Sequence, residues 1–169
     1  MSAMAEQTHE ALGPLHPATL IATWFGVGRL PWAPGSWGSL AALPFAWGIA
    51  RLFGPSALAI AAALLFTIGW WAAALVTRAS GVKDDRAIVI DEVAGQWLTL
   101  SVAPLAPLAY LAGLLLFRFF DIAKPWPVRW ADRQVAGGLG VMLDDAIAGF
   151  YAAVSLFIML RAAGPILGG

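Results

Sequence analysis

The chain has no cysteine. Disulfides, thiolate metal sites and a cysteine nucleophile are excluded together. Histidine is nearly absent too. His9 and His16 are the only two, so nothing beyond them can use an imidazole as base, nucleophile or metal ligand. Charge is scarce: Asp, Glu, Lys and Arg make up 12% of 169 residues, about half of the ~25% usual in soluble domains. That density leaves too few charges to cover a water-facing surface. With 60% hydrophobic residues and a mean hydropathy of +0.78, the chain falls in the membrane class. The formal net charge is zero, and no nucleic-acid partner is expected. Residues 1–17 carry Glu6 and Glu10 but no Lys or Arg. They lack the charged and apolar regions of a signal peptide and read as a flexible leader. Residues 18–169 then form a single membrane-embedded domain.

Five apolar runs stand out, at about 37–53, 56–77, 88–103, 106–120 and 143–161. Residues 18–27 add a short apolar helix or a re-entrant piece. The Gly54-Pro55 break separates the first two runs, and Pro104 and Pro107 separate the third from the fourth, because a prolyl ring inside a helix removes a hydrogen bond and clashes with the preceding turn. The runs are continuous rather than alternating, which argues against strands. In lipid a helix satisfies its own backbone groups. The expected fold is therefore all-α, a polytopic membrane bundle of about five helices. Several runs are shorter than the ~20 residues of a straight span, which a locally thinned bilayer accommodates.

Threading the runs back and forth places the loops 28–38, 78–88 and 121–143 on one face. That face holds Arg29, Arg78, Lys83, Arg86, Arg118, Lys124, Arg129 and Arg133, against Arg51 and Arg161 on the other. The positive-inside rule puts the basic face, and the N-terminus, in the cytoplasm. The acids divide the same way. Asp84, Asp85, Asp91, Glu92, Asp121, Asp132, Asp144 and Asp145 fall on or near that face. Acids count little in setting topology, so their gathering needs another cause.

Asp91-Glu92, Asp121 and Asp144-Asp145 each read as lying at a helix end near the same interface. Ionisable groups there are costly and usually functional. Converging carboxylates repel unless a cation neutralises them. Arg118, Lys124 and Arg133 do part of this as ion pairs, and Mg2+, which takes carboxylate oxygens and substrate phosphate, does the rest. Plainer structural readings exist for each. Asp144-Asp145 can cap a helix, Asp91-Glu92 can pair with Arg86 or Arg118, and Asp121 with Lys124 or Arg118. Asp132 is expected to pair with Arg129 or Arg133, and Asp85 to be solvated. In Ala33–Ser39, Gly35, Ser36 and Ser39 offer free N–H groups and hydroxyls at a helix start, a place that suits an anion. Gly137-Gly138-Leu139-Gly140 reads as a loop allowing tight turns or close approach of a headgroup. In Lys124–Trp130, Trp126 and Trp130 suit the membrane interface, and Lys124 suits a phosphate as a compact charge.

Four strings, GVGRLPWAPGSWGS (26–39), IVIDEVAG (88–95), FRFFDIAKPWPVRWADR (117–133) and GGLGVMLDDAIAG (137–149), closely resemble bacterial phosphatidylglycerophosphatase A in order and spacing. The resemblance spans about residues 20–155. It implies a Mg2+-dependent lipid phosphatase of the bacterial inner membrane, its site at the cytoplasmic face, that hydrolyses phosphatidylglycerophosphate to phosphatidylglycerol and inorganic phosphate. The family's acidic positions fall on Asp84, Asp91, Glu92, Asp121, Asp144 and Asp145, and its basic ones on Arg118, Lys124 and Arg133. Ser36 stands where the family often has Thr and keeps the hydroxyl. The residues taken as catalytic are Asp91, Glu92, Asp121, Lys124, Asp144 and Asp145, the same five acids serving as metal ligands. Gly35, Ser36, Ser39, Asp84, Arg118 and Arg133 are taken to bind substrate. Attack by activated water and attack by an aspartate both remain open. Three rivals stand beside this reading, one of them a structural membrane protein, which leaves the carboxylate cluster unexplained. A transporter with a carboxylate relay would spread its acids through the bilayer and over both faces. A Mg2+-dependent headgroup transferase would use a similar set of acids.

The shared-face threading has a direct consequence. Single cysteines at Lys83 and at Arg129 will be shielded from an impermeant thiol reagent added outside intact cells. Labelling of either from outside would overturn the threading.

Overall fold

The computed structural model describes residues 12–82 and 85–164. Among these are seven α-helices, one 3-10 turn and no strand: α1 Pro17–Ala22, the turn Val27–Arg29, α2 Pro34–Phe53, α3 Ala57–Ser80, α4 Ile90–Leu100, α5 Pro107–Ala123, α6 Val128–Gln134 and α7 Gly137–Ala163. The apolar runs become α2, α3, α4, α5 and α7. The piece at 18–27 becomes α1 and a tight reversal through Trp24 and Phe25, both left-handed. The Val89 N–H then bonds the Ala22 carbonyl and ties that reversal to the start of α4. His16, in the stretch read as a leader, caps α1: its Nδ1 accepts from the Ala18 N–H. Residues 1–11 lie outside the described residues.

The packing is inverted relative to a water-soluble bundle. Small residues fill the helix contacts: Ala42, Ala46 and Ala50 of α2, Ala62, Gly69, Ala72 and Ala73 of α3, and Ala148, Gly149, Ala152 and Ala153 of α7 are buried. The large apolar side chains point outward. Ile60, Leu64 and Ile68 line the outer face of α3, Leu108, Leu111, Leu115, Phe119 and Ile122 that of α5, and Phe150, Val154, Phe157 and Ile158 that of α7. The 3-4 spacing makes each set a continuous stripe. Small-inside, large-outside packing is what lipid favours, because tails solvate Leu and Phe while close backbone approach holds helices together. Among the described residues, α3 and α7 are long and apolar enough to cross a membrane.

The helices alternate in direction. Asp91 lies beside Asp145, Gly95 against Gly149, and Leu100 and Leu156 both face Gly113. Thus α4 and α7 run parallel, and α5 runs against them. The N-terminal part of α2 meets α4 at Gly35 and Glu92, and the C-terminal part of α3 meets α7 at Ala74 and Gly138. The starts of α2, α4 and α7 and the ends of α3 and α5 therefore share one end of the bundle.

Two expectations are corrected. Gly137–Gly140 is not a loop but the first turn of α7. Gly138 and Gly140 cost helix propensity, but a Cβ at Gly138 would stand 2.7 Å from the Trp70 carbonyl oxygen, so tertiary packing requires the glycine and sustains the helix. Asp144 and Asp145 consequently sit about two turns inside α7 and cap nothing. The third run also yields a shorter helix than expected. With 11 residues, α4 is about 16 Å long at ~1.5 Å per residue, half of a ~30 Å hydrocarbon core. It is enclosed by α2, α3, α5 and α7.

A close backbone contact also joins α4 to α7. A Cβ on Gly149 would stand 2.6 Å from the Gly95 carbonyl oxygen, and one on Gly95 would stand 2.7 Å from the Asp145 carbonyl oxygen. Gly149→Val should therefore lower the melting temperature in detergent, by an amount matching about 1–3 kcal/mol of overpacking. Gly48→Ala, where the added methyl meets nothing within 4 Å, should melt no lower than the parent. Equal melting of the Gly149 variant and the parent would mean these backbones do not touch.

Candidate active site

The glycine contact fixes the acids. Asp91 precedes Gly95 by four residues and Asp145 precedes Gly149 by four, so each acid lies one turn above its glycine on the same helix face. Joining the glycines brings the carboxylates together. Glu92 joins them from the first turn of α4, where the positive end of the helix dipole favours anions. Oxygens of Asp91, Glu92 and Asp145 lie within 4.8 Å of one another.

None of these three acids makes an ion pair with a lysine or arginine among the described residues, although the Arg118 guanidinium stands near Glu92. Asp91 Oδ1, Glu92 Oε2 and Asp145 Oδ2 are buried without a hydrogen-bond partner. Uncompensated buried carboxylates cost several kcal/mol each. Two flanking acids are differently placed. Asp121, in the last turn of α5, pairs with Arg118 Nη1, one turn earlier on that helix. The pair is close in distance but not aimed as a hydrogen bond, since Arg118 Nη1 and Nε lack an aligned acceptor. Asp144 pairs with Lys124 at 2.8 Å.

Lys124 closes α5 in the left-handed conformation, φ 45°, a strained state for a side-chain-bearing residue. Its Nζ donates to Asp132 at 2.6 Å and to Asp144 at 2.8 Å. Burial would lower the ammonium pKa, but the bonds and charge of Asp132 and Asp144 outweigh it and hold it above the usual lysine value. Lys124 is therefore cationic throughout the neutral range. Asp132, expected to pair with Arg129 or Arg133, pairs with Lys124 instead, because the α5–α6 link returns α6 beside the α5 terminus.

A cleft of about 290 Å3 opens onto this assembly, lined by Asp85, Arg86, Asp91, Glu92, Lys124, Asp132 and Asp144 among others. Asp145 lies behind its wall, 3% exposed. Arg118 does not line the cleft. It lies behind Glu92, where a Cβ on Gly35 would touch both the Glu92 carboxylate and the Arg118 guanidinium. Gly35 therefore does not face the opening; its missing side chain lets Glu92 reach the start of α2. The Ser39 hydroxyl donates to the Gly35 carbonyl at 2.9 Å, and Ser36 is exposed on the first turn of α2. Arg133 is exposed on α6 and borders a neighbouring cleft. Asp84 lies outside the described residues.

Sequence reasoning passed over three residues of the cleft wall. Asp85, expected to be solvated, turns its Oδ1 back to accept from the Ala87 N–H at 3.0 Å. Arg86 stands on the rim, and Asp132 anchors Lys124. Their signal was present in the charge density of 83–86 and 129–133, but neither pattern says which side chain turns inward.

The comparisons with known proteins agree. The family model described as phosphatidylglycerophosphatase A matches residues 20–160. The chain is 39% identical to the phosphatidylglycerophosphatase A of Escherichia coli (strain K12) over 145 residues, covering 85% of this chain and 84% of that protein. It is 39% identical to the phosphatidylglycerophosphatase A of Haemophilus influenzae over 144 residues, covering 85% and 88%. It is also 38% identical over 163 residues, 88% of this chain and 94% of the other, to a putative phosphatidylinositol-3-phosphatase of Bacteroides thetaiotaomicron. No solved structure matches it. With four motifs in order, an acidic centre built by two of them and a family model covering most of its length, the chain belongs to the phosphatidylglycerophosphatase A family.

Proposed function

We infer that the chain is a lipid phosphatase that hydrolyses phosphatidylglycerophosphate to phosphatidylglycerol and inorganic phosphate. Family membership supports the reaction. The observation that carries the chemistry is the buried trio Asp91, Glu92 and Asp145 with unpartnered oxygens, beside a cleft rimmed by Lys124 and Arg86. The names of the relatives denote lipids with one phosphomonoester on a headgroup that is itself joined through a phosphodiester.

The trio fits a hard divalent cation: an all-oxygen donor set, converging, with buried oxygens that have no hydrogen-bond partner. Mg2+ held by Asp91, Glu92 and Asp145 would supply Lewis-acid charge to the phosphoryl oxygens. The chain's own residues do the rest. Lys124, fixed by Asp132 and Asp144, presents a stationary positive charge to the equatorial oxygens, and Arg86 adds a second at the rim. Such fixed charge is the main contribution a protein makes to phosphoryl transfer. Asp121, near Asp145 and Glu92, is held by Arg118 and stands ready to accept a proton from the attacking group. A transporter relay would need acids along the bundle; among the described residues the carboxylates gather at one end.

The outward apolar stripes support a chain embedded in the bacterial inner membrane, and the excess of Lys and Arg at the acidic end supports placing that end and the N-terminus at the cytoplasmic face. Five helices enter the membrane, α4 crossing only part of it. The substrate's acyl chains stay in lipid while its headgroup enters the cleft from the side.

Purified protein given phosphatidylglycerophosphate should release phosphate, lose that activity in excess chelator and regain it with Mg2+. Full activity in chelator would sink the metal assignment. Asp91→Asn, Asp121→Asn and Asp145→Asn should each cut turnover by about 10²-fold or more, the scale for losing one electrostatic catalytic group. Asp91→Asn and Asp145→Asn should also raise the Mg2+ concentration for half-maximal rate, whereas Asp121→Asn should leave it nearly unchanged. Arg51→Gln, at the far end of α2, is the control. Near-normal rates for all three acid variants would make the acids structural.

A further inference from the structure

A second cleft, of about 360 Å3, adjoins the first at Lys124, which lines both. Its other walls include Trp126, Arg129, Trp130 and Arg133, and no acid lines it. Val128 and Ala131 of α6 are buried, and this turns Arg129, Trp130 and Arg133 outward. Arg129 and Arg133 are four residues apart, so their guanidinium groups share one helix face. Neither makes an ion pair among the described residues, whereas Arg118 and Lys124 both do. The approach to α6 is pinned from below: the Tyr151 hydroxyl donates to the Trp126 carbonyl at 3.1 Å. Trp126 and Trp130 remain exposed, as aromatic residues do at the headgroup level of a bilayer.

A pocket with two uncommitted guanidinium groups, a shared ammonium and no carboxylate selects a phosphate-type anion. It stands beside the reaction cleft and on the side that carries the interfacial tryptophans. We propose that this second cleft binds the phosphodiester of the substrate headgroup, while the terminal phosphomonoester occupies the acidic cleft. Lys124 lies between the two phosphates. Arg129 and Arg133 then set specificity: they select lipids that carry a diester as well as a monoester over monoester lipids such as phosphatidic acid. This rests on the lipid phosphatase reading above, and its test can be separated from it.

The experiment uses the full chain in neutral detergent micelles free of other anionic lipid. Arg129→Gln and Arg133→Gln should each raise KM for phosphatidylglycerophosphate by about tenfold, the scale of one charge-assisted hydrogen bond, with kcat little changed. KM for phosphatidic acid should stay within about twofold. Equal shifts for both lipids, or none for either, would overturn the proposal. So would a defect seen only in vesicles of anionic lipid, which would assign the arginines to neighbouring lipids. A binding arm needs no turnover: glycerophosphoglycerol, a soluble diester without a monoester, should bind the parent by calorimetry, and the double variant should lose that binding. Binding by a parent that hydrolyses neither lipid would uphold the subsite while the phosphatase reading fails. Absence of binding by a hydrolysing parent would overturn the subsite and leave the phosphatase reading standing.

Discussion

The whole site hangs on two glycines that let α4 and α7 touch backbone to backbone. Gly95 and Gly149 leave no room for a methyl group between the helices, and the Thr99 hydroxyl sits at the contact, 2.9 Å from the Gly95 carbonyl oxygen and 3.2 Å from that of Gly149. In lipid, where burying apolar surface drives little, such contacts carry much of the association. One turn away, the same closeness forces Asp91, Glu92 and Asp145 together against their mutual repulsion. Packing energy from the small-residue seam thus offsets the repulsion of the carboxylates it brings together.

The charges around that centre are sorted rather than merely pooled. Arg118 takes Asp121, and Lys124 takes Asp132 and Asp144. Both cations belong to α5, the helix that runs against α4 and α7, so its C-terminal end meets their acidic starts. The left-handed backbone at Lys124 is strained, yet it ends the helix and directs the ammonium between two carboxylates instead of along the α5 axis. Strain of this kind persists where the surroundings over-determine it, and two short ion pairs from two other helices do so here.

Much of this could be read from the residues, and the misses have physical reasons. The runs around Ala57–Ser80 and Pro107–Ala123 announced themselves by length and by their proline borders. The clustering of acids with the basic loops followed from back-and-forth threading, which the alternating helix directions match. Gly137–Gly140 reads as a loop because glycine's low helix propensity is a local signal, whereas the reason for Gly138, the backbone of Trp70 and Ala74, is some sixty residues away in the chain. The partners of Asp144 and Asp145 could not be told apart for a related reason. Adjacent helical residues point about 100° apart, and only the positions of α4 and α5 decide which one faces the trio and which faces Lys124. Asp132 went to Lys124 instead of its sequence neighbours because the turn into α6 reverses the chain.

The parallel pairing of α4 with α7 also dictates an order of events during synthesis. Asp91 and Glu92 are made before Asp145, and α5 and α6 are made between them. Until α7 arrives, Gly95 lacks the Gly149 backbone it packs against, and Asp91 and Glu92 lack the third carboxylate of the trio. An α4 of eleven residues, too short to settle across a bilayer alone, must wait beside α2 and α3 for the final helix. The three carboxylates therefore come together only when the C-terminal helix docks.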